Sequence, residues 1–251
     1  MKTTIKILFA ATLLCVLAAC KKSDVPSAST VASLNLLNAT VGASPIIVQF
    51  NNKSVFFSTI TSSNELSYGS SVILSPVGGN IPTALTQSTD TVHTVFKGNL
   101  NLQNFNIYSF FLAGNTAQPD TMLVHDQLTY YAPTDSVGGV RFVNLSTGSS
   151  PVSVDIQGQP NGSEVQNLPY KNITAFNTYS ATHANSSYVF EFRNASSGTL
   201  IASYTISGVN NSTGVNTSSN TFRFKNHTLA LIGQPGGTGA AAQKIILMNN
   251  Y

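Results

Sequence analysis

Residues 138–158 read GGVRFVNLSTGSSPVSVDIQG, and residues 32–52 read ASLNLLNATVGASPIIVQFNN. The two stretches align without gaps at an offset of 106 residues. Asn38/Asn144, Gly42/Gly148, Ser44/Ser150, Pro45/Pro151 and Val48/Val154 are identical pairs, and Leu34/Val140 and Leu36/Phe142 are conservative ones. Leu66-Ser67-Tyr68 matches Leu168-Pro169-Tyr170, and YSFFLAG (108–114) resembles HTLALIG (227–233). Solenoid units run to only about 20–50 residues, so a repeat of this length reads as two tandem domains.

The periodicity inside the repeat is that of strands. Val152, Val154 and Ile156 alternate with Ser153, Asp155 and Gln157, and Tyr188, Phe190 and Phe192 alternate with Val189, Glu191 and Arg193. Alternation of this kind predicts antiparallel sheets with one wet face. Turn signals such as Ser75-Pro76-Val77-Gly78-Gly79-Asn80 and Asn161-Gly162 separate the runs. The Gly-rich stretch Gly233 to Gly239 lacks the Gly-Lys-Ser/Thr ending of a phosphate loop and reads as a hairpin connection. No amphipathic helix follows residue 20. The expected fold is all-β, with two tandem immunoglobulin-like antiparallel β-sandwich domains. The first repeat covers 32–131, a polar linker 132–137, and the second repeat 138–251.

Ahead of the repeats, residues 1–20 read MKTTIKILFAATLLCVLAAC. Lys2 and Lys6 form a positive n-region and Ile7 to Leu17 an apolar h-region, the pattern of a secretory signal too short to span a membrane. The ending Leu17-Ala18-Ala19-Cys20 resembles the bacterial lipobox, which implies a signal peptide over 1–19 and lipidation of Cys20. Two or three acyl chains hold a protein stably at a membrane; one does not. Residues 20–31 are then the lipidated Cys and a flexible tether, KKSDVPSAST following the Cys. The Lys-Lys-Ser-Asp start looks like that of many Bacteroidota lipoproteins.

Composition narrows the function. Of 251 residues 42% are hydrophobic and 8% charged. Loss of residues 1–19 leaves ten basic against nine acidic side chains, which gives no electrostatic footprint for nucleic acid. Cys15 leaves with the signal and Cys20 takes lipid, so the two repeats carry no thiol for a disulfide, a thiolate metal site or a nucleophile.

Val140-Arg141-Phe142-Val143-Asn144-Leu145-Ser146, then Pro151, then Val154-Asp155-Ile156, resembles the bacterial family named domain of unknown function 4397. Its members carry a strand ending in Asn-x-Ser, a Pro and a Val-Asp-Val strand, often in tandem behind lipoprotein signals. The first repeat departs from the pattern, with Asn35 for the Arg and Gln49 for the Asp. The resemblance implies fold and location, and no activity. Arg141 and Asp155 are expected to pair across the wet face of neighbouring strands.

Chemistry-bearing patterns are sparse. His93, His125, His183 and His227 show no ligand spacing, and no Gly-x-Ser-x-Gly elbow occurs. Asp135, Asp155, Glu164 and Glu191 fall in different strands and loops. No catalytic residue, metal site or cofactor is expected. Asp90-Thr91-Val92, Asp120-Thr121-Met122 and Asp135-Ser136-Val137 look like Bacteroidota O-glycosylation triplets, making Thr91, Thr121 and Ser136 candidate sites. Tyr130 and Tyr131 are candidate sugar platforms or packing residues at the domain junction. The expectation is a cell-envelope lipoprotein, lipid-anchored at the outer membrane. It is not an enzyme but a binding, adhesion or structural module with an envelope-protein or glycan partner. The alternative is a carbohydrate-binding accessory lipoprotein of a glycan-uptake system.

Overall fold

The computed structural model describes residues 30–56, 64–132, 134–211 and 220–250, and the side chain of His93 is outside that description. The signal peptide, Cys20 and the tether up to residue 29 lie outside the described residues. Val31–Tyr251 forms one compact unit, distinct from Met1–Thr30.

The first half contributes β1 (Ser33–Asn38), β2 (Ile46–Phe50), β3 (Lys53–Ser54), β4 (Glu65–Leu66), β5 (Ser71–Leu74), β6 (Gly79–Gln87), β7 (Asp90–Leu102), β8 (Ile107–Gly114) and β9 (Pro119–His125). The second contributes β10 (Val137–Asn144), β11 (Val152–Ile156), β12 (Val165–Leu168), β13 (Asn177–Ser180), β14 (Ser187–Asn194), β15 (Leu200–Ser207), β16 (Asn226–Ile232) and β17 (Lys244–Asn249). A single 3-10 turn, Gly239–Ala241, interrupts the β16–β17 connection among the described residues. The β-sandwich architecture predicted from the alternation is what the chain adopts.

The internal repeat is visible in the pairing. One sheet of the first half runs β5-β1-β8-β9, and one of the second runs β13-β10-β16-β17. The facing sheets run β3-β2-β6-β7 and β12-β11-β14-β15. Every position has its counterpart except for the short β3 and β4, which share the place taken by β12. Two pairs, β1–β8 and β10–β16, are parallel, unlike the all-antiparallel arrangement expected. Parallel neighbours need a long crossover. Here the strands of the facing sheet, with the edge strands β5 and β13, supply it.

The repeated Asn explains its own recurrence. Asn38 Nδ2 donates to the Leu66 carbonyl at 3.1 Å, and its Oδ1 accepts from the Thr40 amide. Asn144 Nδ2 donates to the Leu168 carbonyl at 3.1 Å, and its Oδ1 accepts from the Ser146 amide. Each Asn thus stitches the end of its strand to the segment that leads into the next edge strand. Both are fully buried. Gly42 and Gly148 follow at φ +79° and +72°, where the turn needs the left-handed region that glycine adopts without strain. Removing either amide leaves a buried carbonyl and a buried N–H without partners. Asn38→Ala and Asn144→Ala are each expected to lower stability by about 1–3 kcal/mol, read from urea unfolding midpoints.

Three apolar cores stack in this unit. Leu34, Leu36, Ile46, Val48, Leu85, Phe110 and Leu112 fill the first sandwich. Val140, Phe142, Val152, Val154, Phe190, Phe192, Leu229 and Leu231 fill the second. The intervening residues of the same inner strands, Leu37, Phe111, Ala113, Val143, Leu145, Ala230 and Ile232, meet in a third core shared by both halves. The central inner strands β1, β8, β10 and β16 are therefore buried on both faces, unlike the one wet face expected.

Candidate functional site

Arg141 does not pair with Asp155. Its β10 side chain points from the second half into the first and is buried with its partner: side-chain exposures are 4% for Arg141 and 0% for Asp126. Nη1 donates to Asp126 Oδ1 at 2.8 Å, Nη2 to Ser109 Oγ at 2.9 Å and Nε to Thr228 Oγ1 at 2.8 Å. Ser109 Oγ donates in turn to Asp126 Oδ2 at 2.6 Å, and Thr228 Oγ1 donates to Asn250 Oδ1. Asn35 occupies the equivalent place in the first half and reaches the opposite way, with Nδ2 on the Asn249 carbonyl at 2.7 Å. The departure of the first repeat from Arg to Asn is thus a division of labour across one interface. This knot is sealed from solvent and fastens the halves together; it has no room for a substrate.

Asp155 sits on the outer sheet opposite Glu191, which the β11–β14 register brings directly across from it. The two carboxyl groups that looked scattered in the sequence are cross-strand neighbours. Arg193 serves both, its Nη2 bonded to Glu191 Oε2 and its Nε 3.4 Å from the Asp155 carboxylate. Gln157 Nε2 donates to Glu191, and Ser153 Oγ donates to Asn161 Oδ1, which holds the 157–164 loop over this face. Burial pushes the Asp155 carboxyl above its ordinary value, against the pull of Arg193. The hydrogen bond from Arg193 holds Glu191 below its ordinary value.

The two groups act with opposite sign. Glu191, lowered in the fold, stabilises fully above its unfolded value of about 4.5, and that contribution declines as pH falls through the lowered native value. Asp155, raised in the fold, weakens stability as pH rises above its unfolded value of about 3.8. Glu191→Gln should therefore lower the urea midpoint at pH 7 and converge on wild type as pH drops below about 4.5. Asp155→Asn should be neutral or stabilising at pH 7. Midpoints measured from pH 3 to pH 8 check both.

A cleft of about 520 Å³ opens at the end of the second half where β10, β14 and β16 finish. Three loops line it, following β10, β14 and β16. Ser149, Ser150, Asn194, Ser197, Thr199 and Gln243 supply hydroxyls and amides, and Leu200, Ile201 and Pro235 supply an apolar wall. No lining residue is charged. Asn194 Oδ1 is committed to the Ser196 and Ser197 amides and Gln243 Nε2 to Ser146 Oγ. The Asn194 amide nitrogen, the Gln243 carbonyl oxygen and the exposed Ser150 hydroxyl are in position to meet a ligand. The volume is in the range of small-molecule pockets. Neutral donors and acceptors beside an apolar wall suit a neutral polyhydroxyl ligand and offer no group for acid–base chemistry.

The remaining sequence candidates are dispersed. Thr91 is exposed at the β6–β7 turn, at the same end of the strands as the cleft, and its neighbour Val92 is exposed too. Thr121 and Ser136 are half-buried. Asp120 Oδ1 is held by Lys171 Nζ at 2.7 Å and by the Thr121 amide. Tyr131 packs at the junction with its hydroxyl 3.4 Å from Asn226 Oδ1, whereas Tyr130 is fully exposed. His125 lies against the Tyr108 ring and His227 against Phe222. No group of three or more His, Cys, Asp or Glu side chains able to hold a metal occurs among the described residues.

No family model matches the sequence, and no curated protein matches it. Among solved structures, the chain is similar to the C-terminal domain of AlgF from P. aeruginosa, at 11% identity and a TM-score of 0.29, over 39% of this chain and 99% of that one.

Proposed function

We propose that this chain is a cell-envelope lipoprotein, anchored through Cys20 at the outer membrane, whose fused sandwiches form a non-enzymatic binding module. The observation that carries the reading is the uncharged cleft at the strand ends remote from Val31. A lipobox ahead of such a body tethers it by one end and leaves the cleft facing away. Loops positioned by a rigid sheet scaffold are the usual seat of recognition.

The cleft's chemistry also supports a narrower reading, a carbohydrate-binding accessory lipoprotein of a glycan-uptake system. Its ligand is then a neutral glycan, with sugar hydroxyls on Ser150, Asn194 and Gln243 and a sugar C–H face on Leu200 and Ile201.

Retardation in native gels cast with neutral polysaccharides tests the ligand. Wild type is expected to be retarded, and Ser150→Arg and Ile201→Arg to migrate freely with unchanged unfolding midpoints. A wild type retarded by no polysaccharide overturns the glycan reading. Cys20→Ala tests the anchor, with the protein expected to leave the membrane fraction. Protease shaving of intact cells then separates display on the surface from a periplasmic position. An intact mass of the native protein, with Thr91 as its most exposed candidate, decides O-glycosylation.

A further inference from the structure

The end of the body opposite the cleft carries an unusual set of side chains. The chain enters there. The Ala32 amide donates to the Pro76 carbonyl at 2.9 Å, and the Phe105 amide donates to the Val31 carbonyl at 2.8 Å. Val77 and Phe105 therefore flank Val31 and Ala32, and the Gly78 amide bonded to Asn104 Oδ1 joins their two loops. Val77 is 66% exposed and Phe105 77%. The segment that follows β9 adds Tyr130, 84% exposed, beside the Tyr131–Asn226 contact at the start of β16.

Phe105 is also strained. Its φ is +65°, and Phe224 in the second half has φ +64°. The Phe224 amide donates to the Val137 carbonyl at 2.7 Å, as that of Phe105 does to Val31, so the two turns are equivalent. A bulky residue in the left-handed region is strained, and Gly or Asn would largely avoid that strain. Backbone strain of this kind clusters where function requires the side chain. Packing does not account for Phe105, since its ring lies in solvent. Exposed Lys225 follows Phe224 at the same end.

We propose that this end is a bilayer-facing surface, with Phe105, Tyr130 and Val77 seated in the lipid interface and Lys225 at headgroup level. The inference rests on lipidation of Cys20. Thr30 lies ten residue steps after Cys20, and a fully extended chain spans at most about 3.3–3.6 Å per residue. The body is thus leashed within about 35 Å of the membrane by the end that bears these side chains. Aromatic rings and Lys are the residues that settle at the membrane–water interface. Together with the acyl chains they would fix the orientation of the body as well as its attachment, holding the cleft outward.

The test uses the lipidated full-length protein in phosphatidylethanolamine–phosphatidylglycerol vesicles. Nitroxide labels are placed through Phe105→Cys or Tyr130→Cys, with Val92→Cys and Leu200→Cys as controls at the opposite end. Collision with oxygen relative to a water-soluble nickel chelate reports depth. Labels at 105 and 130 are expected to favour oxygen severalfold over those at 92 and 200. Equal, aqueous values at all four positions in protein that floats with the vesicles overturn the proposal and leave the anchor reading intact. Failure of wild type to float removes the anchor and the proposal together. Phe105→Asn provides a second arm. It relieves the strain and is expected to hold or raise the unfolding midpoint while reducing the depth reported at position 130. A lowered midpoint with unchanged depth would assign Phe105 to folding instead.

Discussion

Arg141→Ala is expected to destabilise the protein by about 3–5 kcal/mol at pH 7, read from urea unfolding at 25 °C. The magnitude follows from what is left behind. Asp126 is fully buried, and Arg141 is the only cation bonded to it among the described residues. Truncation strands that carboxylate in the interior with a single hydroxyl, Ser109, as donor. It also removes the Nε donor to Thr228 and one of the two donors to Ser109, which keeps Asn250 Nδ2 at 3.3 Å. The guanidinium further lies 4.5 Å from the Phe176 ring centroid, so packing is lost with the charge. Asp126→Asn should cost less than Arg141→Ala, because an amide oxygen can still accept from Nη1. Arg141→Met combined with Asp126→Leu should recover part of the loss, since removing both members of a buried pair relieves the unpaired charge. Recovery stays incomplete because Ser109 and Thr228 remain buried with fewer partners. An Arg141→Ala effect below about 1 kcal/mol would mean that water reaches the knot and that the halves are held by apolar contact alone.

Strands such as β11 and β14 were legible because a period of two survives in their side chains, and the repeat was legible because the same turn chemistry is used twice. Asn38 and Asn144 recur since each must satisfy the same pair of backbone groups. The packing of one sandwich on the other was harder to read. Asn35, Arg141, Ser109 and Thr228 are polar and alternate with core residues, so each looks like a position on a wet face. They are buried because a second sheet covers them, and that is a tertiary fact. A signal for it does exist in the sequence. Phe110-Phe111-Leu112-Ala113 and Leu229-Ala230-Leu231-Ile232 are continuous apolar runs, the mark of strands buried on both faces. The opposition of Asp155 and Glu191 required the β11–β14 register, which residue type alone does not specify. The cleft required three loops distant in sequence to meet, and its uncharged Ser, Thr and Asn side chains are the commonest polar residues in this chain. Nothing in their order distinguishes the five that line it.

Phe111→Ala carries the second large effect, about 3–5 kcal/mol, because it removes a fully buried ring from the core that the halves share. Its consequence reaches beyond its own sandwich. Phe111 lies on β8 in the first half, yet its cluster includes Val143, Leu145, Ala230, Ile232 and Met248 of the second. If the three cores unfold as one cooperative unit, the loss appears in full at every core amide. Hydrogen exchange at Val154 and Phe192, which pair across β11 and β14 far from the cavity, should then accelerate by the same factor as exchange at Leu36 and Phe110. Two independent sandwiches joined by a linker behave differently: the substitution accelerates exchange in the first half only, and wild type melts in two steps. The shared core, the Arg141–Asp126 knot and the reciprocal Asn35 contact all favour the single step. A body that unfolds as one also transmits orientation as one, so side chains at one end of the strands can set the direction in which the cleft at the other end faces.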